Sequence, residues 1–418
     1  MKKKYTIYVI IVLIIIFFLM FLYYKNVKKY KSIDNTINSK EKYSFIKSGI
    51  TKERTNLYVM VDGKYSKIGS VEAGNHLLFS KLVDNYLLIK NLDDEYYVKI
   101  NNISSSNDII ENDFRYKDYI LFNENIITNS TTNFYNNDNE LVYTINKSYS
   151  FPIVIKDNDK YGVEYNNQLL YIQNEDILSI IKSENTTESN ASGVGVLNYH
   201  FFYDEYNLNE KNNCNQIICI SKTKFQEQLD YLKQNNILTI TTKELELYID
   251  GKINLPKSIL ITIDDGYMMN NGLQMLEKNK MYGCVFLITS WFEDVYFLDD
   301  YKYIEFNSHG ENLHNTGVCP GGQGGAIKCL ERDKLLEDLK ISREKLKNST
   351  SFAYPFYEYN DYSISVLKES GINMAFAGEG TNSDNLVHVG SDKYTLPRFS
   401  VVSYTTLNDI DNYLSNIN

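Results

Sequence analysis

The apolar run of "SILITIDDGY", Ser258 to Ile263, ends in two adjacent carboxylates, Asp264 and Asp265, before Gly266 can turn the chain. Taken alone, Asp-Asp-Gly is an ordinary surface turn, because Asp and Gly are favoured where strands end. A second pair changes the weighing: His309 and His314, two of only five histidines, lie in "NSHGENLHN" directly after the strand-like "YIEF". Two imidazole nitrogens and one carboxylate form a facial set that can hold a divalent cation and leave positions open for water and substrate. Asp265 can supply that carboxylate.

Such a set needs elements that deliver residues far apart in sequence to one place. From Val194 onward the chain alternates strand-like and helix-like segments: "VGVLNYH", a helix with Phe225, Leu229 and Leu232 on one face, "LTITT", a helix through "TKELELYI", then the Asp-Asp strand. "CVFLITS", "YIEFNSH", a helix Arg332 to Lys347, "SFAYPF", a helix "YSISVLKES" stopped by Gly371, and "NMAFAG" follow. This rhythm predicts an α/β fold with a mainly parallel sheet, open or closed into a barrel. Active sites of parallel α/β barrels are built at the carboxyl ends of strands, where both pairs fall.

Residues 49–180 read differently, as short alternating segments without a long helix. An internal repeat is visible at offsets of about 75 residues: Asn56 and Leu57-Tyr58 answer Asn133 and Phe134-Tyr135, Tyr86 answers Tyr161, and Tyr97 answers Tyr171. Two small β domains are expected, at 49–106 and 107–180. Each resembles the bacterial Src-homology-3-like modules that accompany cell-wall enzymes, through strand rhythm and the "YYVKINNI" type of ending. They would either bind wall or act as spacers. A polar linker at 181–193 separates them from the last domain, 194–418.

The N-terminus holds twenty uncharged, mostly apolar residues from Tyr5 to Tyr24, enough to cross a bilayer core as one helix. No small-residue cleavage site follows. The expectation is a transmembrane anchor with basic flanks at 1–30 and a stalk at 31–48, a lipid bilayer as partner, and a single-pass plasma-membrane protein with its catalytic domain outside. Cys214 and Cys219, and Cys319 and Cys329, are candidate disulfide cysteines that fit an oxidising exterior, with five free thiols as the alternative. Cys284 reads as a buried strand thiol. The net charge of -10, from 53 acidic and 43 basic residues, argues against a nucleic-acid partner.

The region from about Val194 to Ser403 resembles the polysaccharide deacetylases of carbohydrate esterase family 4, the NodB-homology fold. The family's Thr-Phe-Asp-Asp-Gly appears as "TIDDG", Thr262 to Gly266, and further similarity runs through "FAYPFYEYN", "AFAG" and "LPRFSV". The metal histidines usually stand four apart; here "SHGENLH" places them five apart, as in the circularly permuted subgroup of poly-N-acetylglucosamine deacetylases. That resemblance implies a distorted (β/α) barrel and the hydrolysis of N-acetyl groups on a polysaccharide.

By the same resemblance, Asp264 is the base, and Asp265, His309 and His314 hold one divalent metal ion, zinc first, with cobalt, nickel or iron also suited. A backbone N–H at Phe356 would face the oxyanion. Arg398 would keep Asp264 ionised, a surface ion pair being its alternative. The general acid would be His200, ending "VLNYH", although His388 in "LVH" matches the acid motif of the unpermuted family. Trp291, Tyr267 and Tyr354 are the candidate substrate-contact aromatics. Peptidoglycan is the first expected substrate and poly-N-acetylglucosamine the close second. A catalytically inactive wall-binding scaffold and an O-acetyl esterase are the other readings. "CPGGQGGAIKC" lacks the Lys-Ser/Thr ending of a phosphate loop and is expected to form a flexible, disulfide-closed rim.

Overall fold

The computed structural model describes residues 47–91, 94–106, 115–183, 190–379 and 384–417, in two compact units. The first runs to Glu111 and takes in Leu141–Asn146 and Tyr165–Asn167. It is built of antiparallel strands. Thr55–Val61 and Lys64–Val71 form a hairpin about Asp62 and Gly63, whose φ values of 49° and 76° give the left-handed turn that suits the twist of paired strands. Leu141–Ile145 adds to Lys64–Val71, with Tyr143 opposite Val71.

The second unit comprises 112–140, 147–164 and 168–418. Its N-terminal part repeats the pattern of the first. Tyr135 stands opposite Tyr171, as Tyr58 stands opposite Tyr97. A three-stranded sheet ordered Ser150–Pro152, Glu124–Thr128, Ile177–Lys182 answers one ordered His76–Phe79, Lys47–Thr51, Ile103–Ser106. A 3₁₀ turn precedes the last strand of each, Ile100–Asn102 and Asn174–Asp176.

The rest of the second unit carries the parallel sheet. Its strands are β1 (Gly195–Tyr199), β2 (Ser258–Asp265), β3 (Gly283–Leu287), β4 (Ile304–Ser308), β5 (Ser351–Ala353), β6 (Met374–Phe376) and β7 (Phe399–Ser400), in the order β6-β5-β4-β3-β2-β1-β7. Leu238–Thr239 pairs alongside the start of β2. All of these pairings are parallel. Every residue of β2 is buried, which explains its unbroken apolar run.

Period two assigns the two faces. Ile259, Ile261 and Ile263 pack in one cluster with Phe225, Leu229 and Leu232 of helix α1 (Lys222–Gln234) and Leu273 and Leu276 of α2 (Asn270–Asn279). Leu260 turns the other way, into a cluster with Val196, Cys284, Phe286 and Phe376. That interior cluster continues beyond the strands' amino ends into Tyr116, Tyr119, Ile155, Leu169 and Tyr171 of the β-rich part. Polar ties reinforce it: Arg115 Nη2 lies 2.6 Å from Glu244 Oε2, and the Tyr119 hydroxyl donates to Glu244 Oε1 at 3.0 Å. Asn198, Thr262 and Asp264 occupy the same interior face nearer the carboxyl ends, opposite in direction to this plug.

The membrane expectation is corrected. Tyr5–Tyr24 lies outside the described residues, and among the described residues no helix is long and apolar enough to cross a membrane. The longest, α3 (Arg332–Lys345), has 14 residues where a span needs about 20, and it buries Leu335, Leu339 and Ser342 against the sheet. The single-pass plasma-membrane location, and with it the lipid bilayer as partner, is withdrawn.

Candidate metal and acid-base centre

Period two points Asp264 into the interior, where it meets Arg398 in a two-pronged pair: Nη1 to Oδ1 at 2.8 Å and Nη2 to Oδ2 at 2.9 Å. Neither side chain reaches solvent, at 0% and 2% exposure. Burial alone would push the Asp264 carboxyl up; the guanidinium overrides it and holds the pKa at about 2. Arg398 is itself fixed by Nε donating to the Ala377 carbonyl at 2.8 Å. The alternative of a surface ion pair is excluded by this burial.

Asp265 would face the helices if the strand ran on. Its φ of 71°, followed by 91° at Gly266, ends the strand there and turns the carboxylate towards two histidines. His309 Nε2 and His314 Nε2 each lie 3.5 Å from Asp265 Oδ1. His309 follows β4 and its Nδ1 is 2.7 Å from the Ala353 carbonyl, so Nδ1 carries the hydrogen and the Nε2 lone pair faces the carboxylate. The next loop is clamped by Asp338 of α3, whose carboxylate accepts from the backbone N–H groups of Glu311 and Asn312, both at 2.8 Å. Burial raises the Asp338 carboxyl to about 6. Leu313, fully buried, anchors the residue before His314.

The three ligand atoms lie within 4.8 Å of one another, and Asp265 Oδ1 is buried with no hydrogen-bond partner. A buried anionic oxygen without a donor is costly unless a cation meets it. The donor set therefore fits one divalent metal ion, with Asp264 beside it and paired elsewhere.

His200 immediately follows β1, at the same end of the sheet. Burial holds its imidazole below the ordinary histidine value, and the nearby Asp264 and Asp265 carboxylates offset only part of that. His388 belongs to the opposite end: Val387 bridges to Val194, before β1, and His388 Nδ1 and Nε2 are held by the Ser192 carbonyl at 2.7 Å and Asp384 at 3.0 Å. Phe356 and Tyr357 both have left-handed backbones, φ 58° and 61°, and the Phe356 ring lies 4.2 Å from that of His314. Trp291 is half exposed with its ring 6.1 Å from His314, and Tyr267 is half exposed against Phe201.

Tyr354 needs correction as a substrate contact. Its side chain is fully buried, stacked on Tyr359, and its hydroxyl donates to the Tyr394 carbonyl at 3.0 Å. Two residues after Phe352, it shares that residue's core-facing side.

Both candidate disulfides form, Cys214–Cys219 and Cys319–Cys329, and Cys284 is a free, buried thiol. The glycine-rich rim is held by Glu358, whose carboxylate accepts from the N–H groups of Gln323 and Gly325 at 2.6 and 2.7 Å and pairs with Lys328 at 3.0 Å. Glu358 thus takes the place an anion would occupy. A Cβ on Gly322, where φ is 61°, would sit 1.8 Å from its Oε1. Glu358 and Asn198 were not anticipated as site residues, although a lone amide within "GVLNY" is a visible anomaly in an apolar strand.

Residues 252–375 match the family model described as polysaccharide deacetylase. A poly-beta-1,6-N-acetyl-D-glucosamine N-deacetylase of Staphylococcus aureus is 28% identical over 203 residues, covering 44% of this chain and 67% of the relative. One of the same description from Staphylococcus epidermidis is 28% identical over 205 residues, covering 44% and 68%. Among solved structures, a de-N-acetylase from Aggregatibacter actinomycetemcomitans is 21% identical, with a TM-score of 0.45 over 53% of this chain and 99% of that one.

Proposed function

Since the chain carries a polysaccharide deacetylase domain, matched over residues 252–375, we propose that it hydrolyses the N-acetyl groups of a poly-N-acetylglucosamine with the help of one divalent metal ion. The observation that carries this reading is the partnerless, buried Asp265 Oδ1 facing two imidazole Nε2 atoms beside an arginine-paired Asp264. The names of the staphylococcal relatives move poly-N-acetylglucosamine ahead of peptidoglycan.

Asp265, His309 and His314 would hold the ion, zinc first, with cobalt, nickel or iron suited by the same donors. Once bound, it would supply Lewis acidity, making a water more acidic and polarising a carbonyl. Asp264, kept ionised by Arg398, takes a proton from the water that attacks the acetyl carbon. The backbone N–H at Phe356 donates to the developing oxyanion. His200 delivers a proton to the sugar nitrogen as the carbon–nitrogen bond breaks, so acetate and a free amine leave. His388, at the other end of the strands, has no part. Trp291 and Tyr267 offer exposed ring faces on which a sugar can stack.

The test is acetate release by the purified full chain, stripped of metal and reloaded, from β-1,6-linked N-acetylglucosamine oligomers, peptidoglycan and an O-acetylated sugar, beside Asp264→Asn. Metal-dependent release from the oligomers, reduced about 10²- to 10⁴-fold by the substitution, is expected. Preference for peptidoglycan would move the substrate; release from the ester alone, or from nothing, would overturn the reading.

A further inference from the structure

Asn198 is fully buried in β1 among Val196, Leu197 and Tyr199, all apolar-packed and equally inaccessible. A primary amide in such a place is costly unless its donors and its acceptor are both satisfied. Its Oδ1 accepts from Arg398 Nη1 at 3.2 Å and lies 3.3 Å from Thr262 Oγ1, whose one hydrogen goes to the Leu197 carbonyl at 2.9 Å. Its Nδ2 donates to the Tyr357 hydroxyl at 2.9 Å and lies 3.4 Å from Asp264 Oδ2. Arg398 can only donate and an ionised Asp264 can only accept, so the network fixes which way the amide points.

These contacts reach both halves of the chemistry. On one side stand the base and the guanidinium that keeps it ionised. On the other stands Tyr357, the second of two consecutive non-glycine residues with left-handed backbones, in the turn that carries the Phe356 N–H. Such a turn persists only where its surroundings hold it. Glu358 holds it from outside, in the glycine-rich rim, and Asn198 from inside, through the Tyr357 hydroxyl.

We propose that Asn198 is a positioning residue that locks the Asp264 carboxylate and the Phe356–Tyr357 turn in register, so that base and backbone donor address the same acetyl group. This rests on the deacetylase reading above. It acts through other groups and touches no reacting atom. Its removal therefore slows the chemical step and leaves substrate and metal binding alone.

The test compares wild type, Asn198→Met, Tyr357→Phe and the double variant in the metal-loaded full chain on N-acetylglucosamine oligomers. Asn198→Met should lower kcat about ten- to a hundredfold with KM within about twofold and metal content unchanged. Tyr357→Phe, which removes only the hydroxyl, should lower kcat by less, and the double variant should be no worse than Asn198→Met, because the Tyr357 hydroxyl acts through the bond that Asn198→Met has already removed. A wild-type kcat in folded Asn198→Met, a change confined to KM, or multiplicative losses would overturn the proposal. If Asn198→Met does not fold, a wild-type kcat in Tyr357→Phe overturns it. An inactive wild type would sink the deacetylase reading separately. Crystal structures of wild type and Tyr357→Phe would then decide: an unmoved Asp264 and turn count against positioning, and a displaced turn supports it.

Discussion

Replacing Arg398 by Met should expose how much the fold spends on keeping Asp264 charged. In the intact protein the carboxyl falls from 3.8 to about 2, and at ~1.4 kcal/mol per pH unit this contributes roughly 2–3 kcal/mol to stability. Because the folded value is the lower one, that contribution is full above pH ~4 and lost as the pH falls through ~2. In Arg398→Met burial acts on Asp264 with no guanidinium to oppose it, so the folded value rises above the unfolded one. The sign reverses: the raised carboxyl is tolerated below pH ~4 and destabilises as the pH climbs. Leaving one member of a buried pair alone costs roughly 3–5 kcal/mol at neutral pH. The gap between the two proteins should therefore be widest near pH 7 and narrow on acidification towards pH 4.5.

Cys284 supplies the assay. It is the free thiol, wholly buried on β3 beside the Asp264 strand, and it becomes reactive only when the sheet opens. Pulsed thiol labelling across a urea series, on chelator-treated protein at several pH values, reads the stability of this sheet. Arg398→Lys, which keeps charge but loses the two-pronged geometry, should fall between. A gap under about 1 kcal/mol at pH 7, or one that does not change with pH, would refute the reasoning.

His200→Ala should cut acetate release by about 10²-fold or more, while His388→Ala leaves it near wild type; equal losses would mean that strand-end position does not identify the acid. Glu358→Ala removes the acceptor of the Gln323 and Gly325 N–H groups, each a charge-assisted bond worth about 1.5–3 kcal/mol. Amide exchange in the Cys319–Cys329 loop should then accelerate at least about tenfold with the disulfide intact, and unchanged exchange would show that the disulfide alone orders the rim.

What could be read in advance followed from local chemistry. The run "SILITIDD" declares a doubly buried strand, and two carboxylates and two histidines at strand ends declare one end of the sheet. The burial of Tyr354 is not legible in "FAYPF", which gives no sign of which alternate residues face the core; Phe352 and Tyr354 pack in one cluster with Leu335 and Leu367. Asn198 could be noticed as a polar intruder, but its partners Asp264, Tyr357 and Arg398 are 66, 159 and 200 residues away. The plug under the strands was invisible for the same reason, since Arg115 and Glu244 are separated by 129 residues.

That plug bears on how the chain would come apart. Tyr116, Tyr119 and Tyr171 share one apolar cluster with Leu245, Tyr248 and Leu260, although the segment 181–193 separates them in sequence. A protease that cut within that segment would break the covalent link without releasing the sheet, and the two fragments would migrate together until denatured. A fragment expressed from Val194 onward would instead present the underside of its own core to water, and its poor solubility would say nothing about the acid-base centre at the other end.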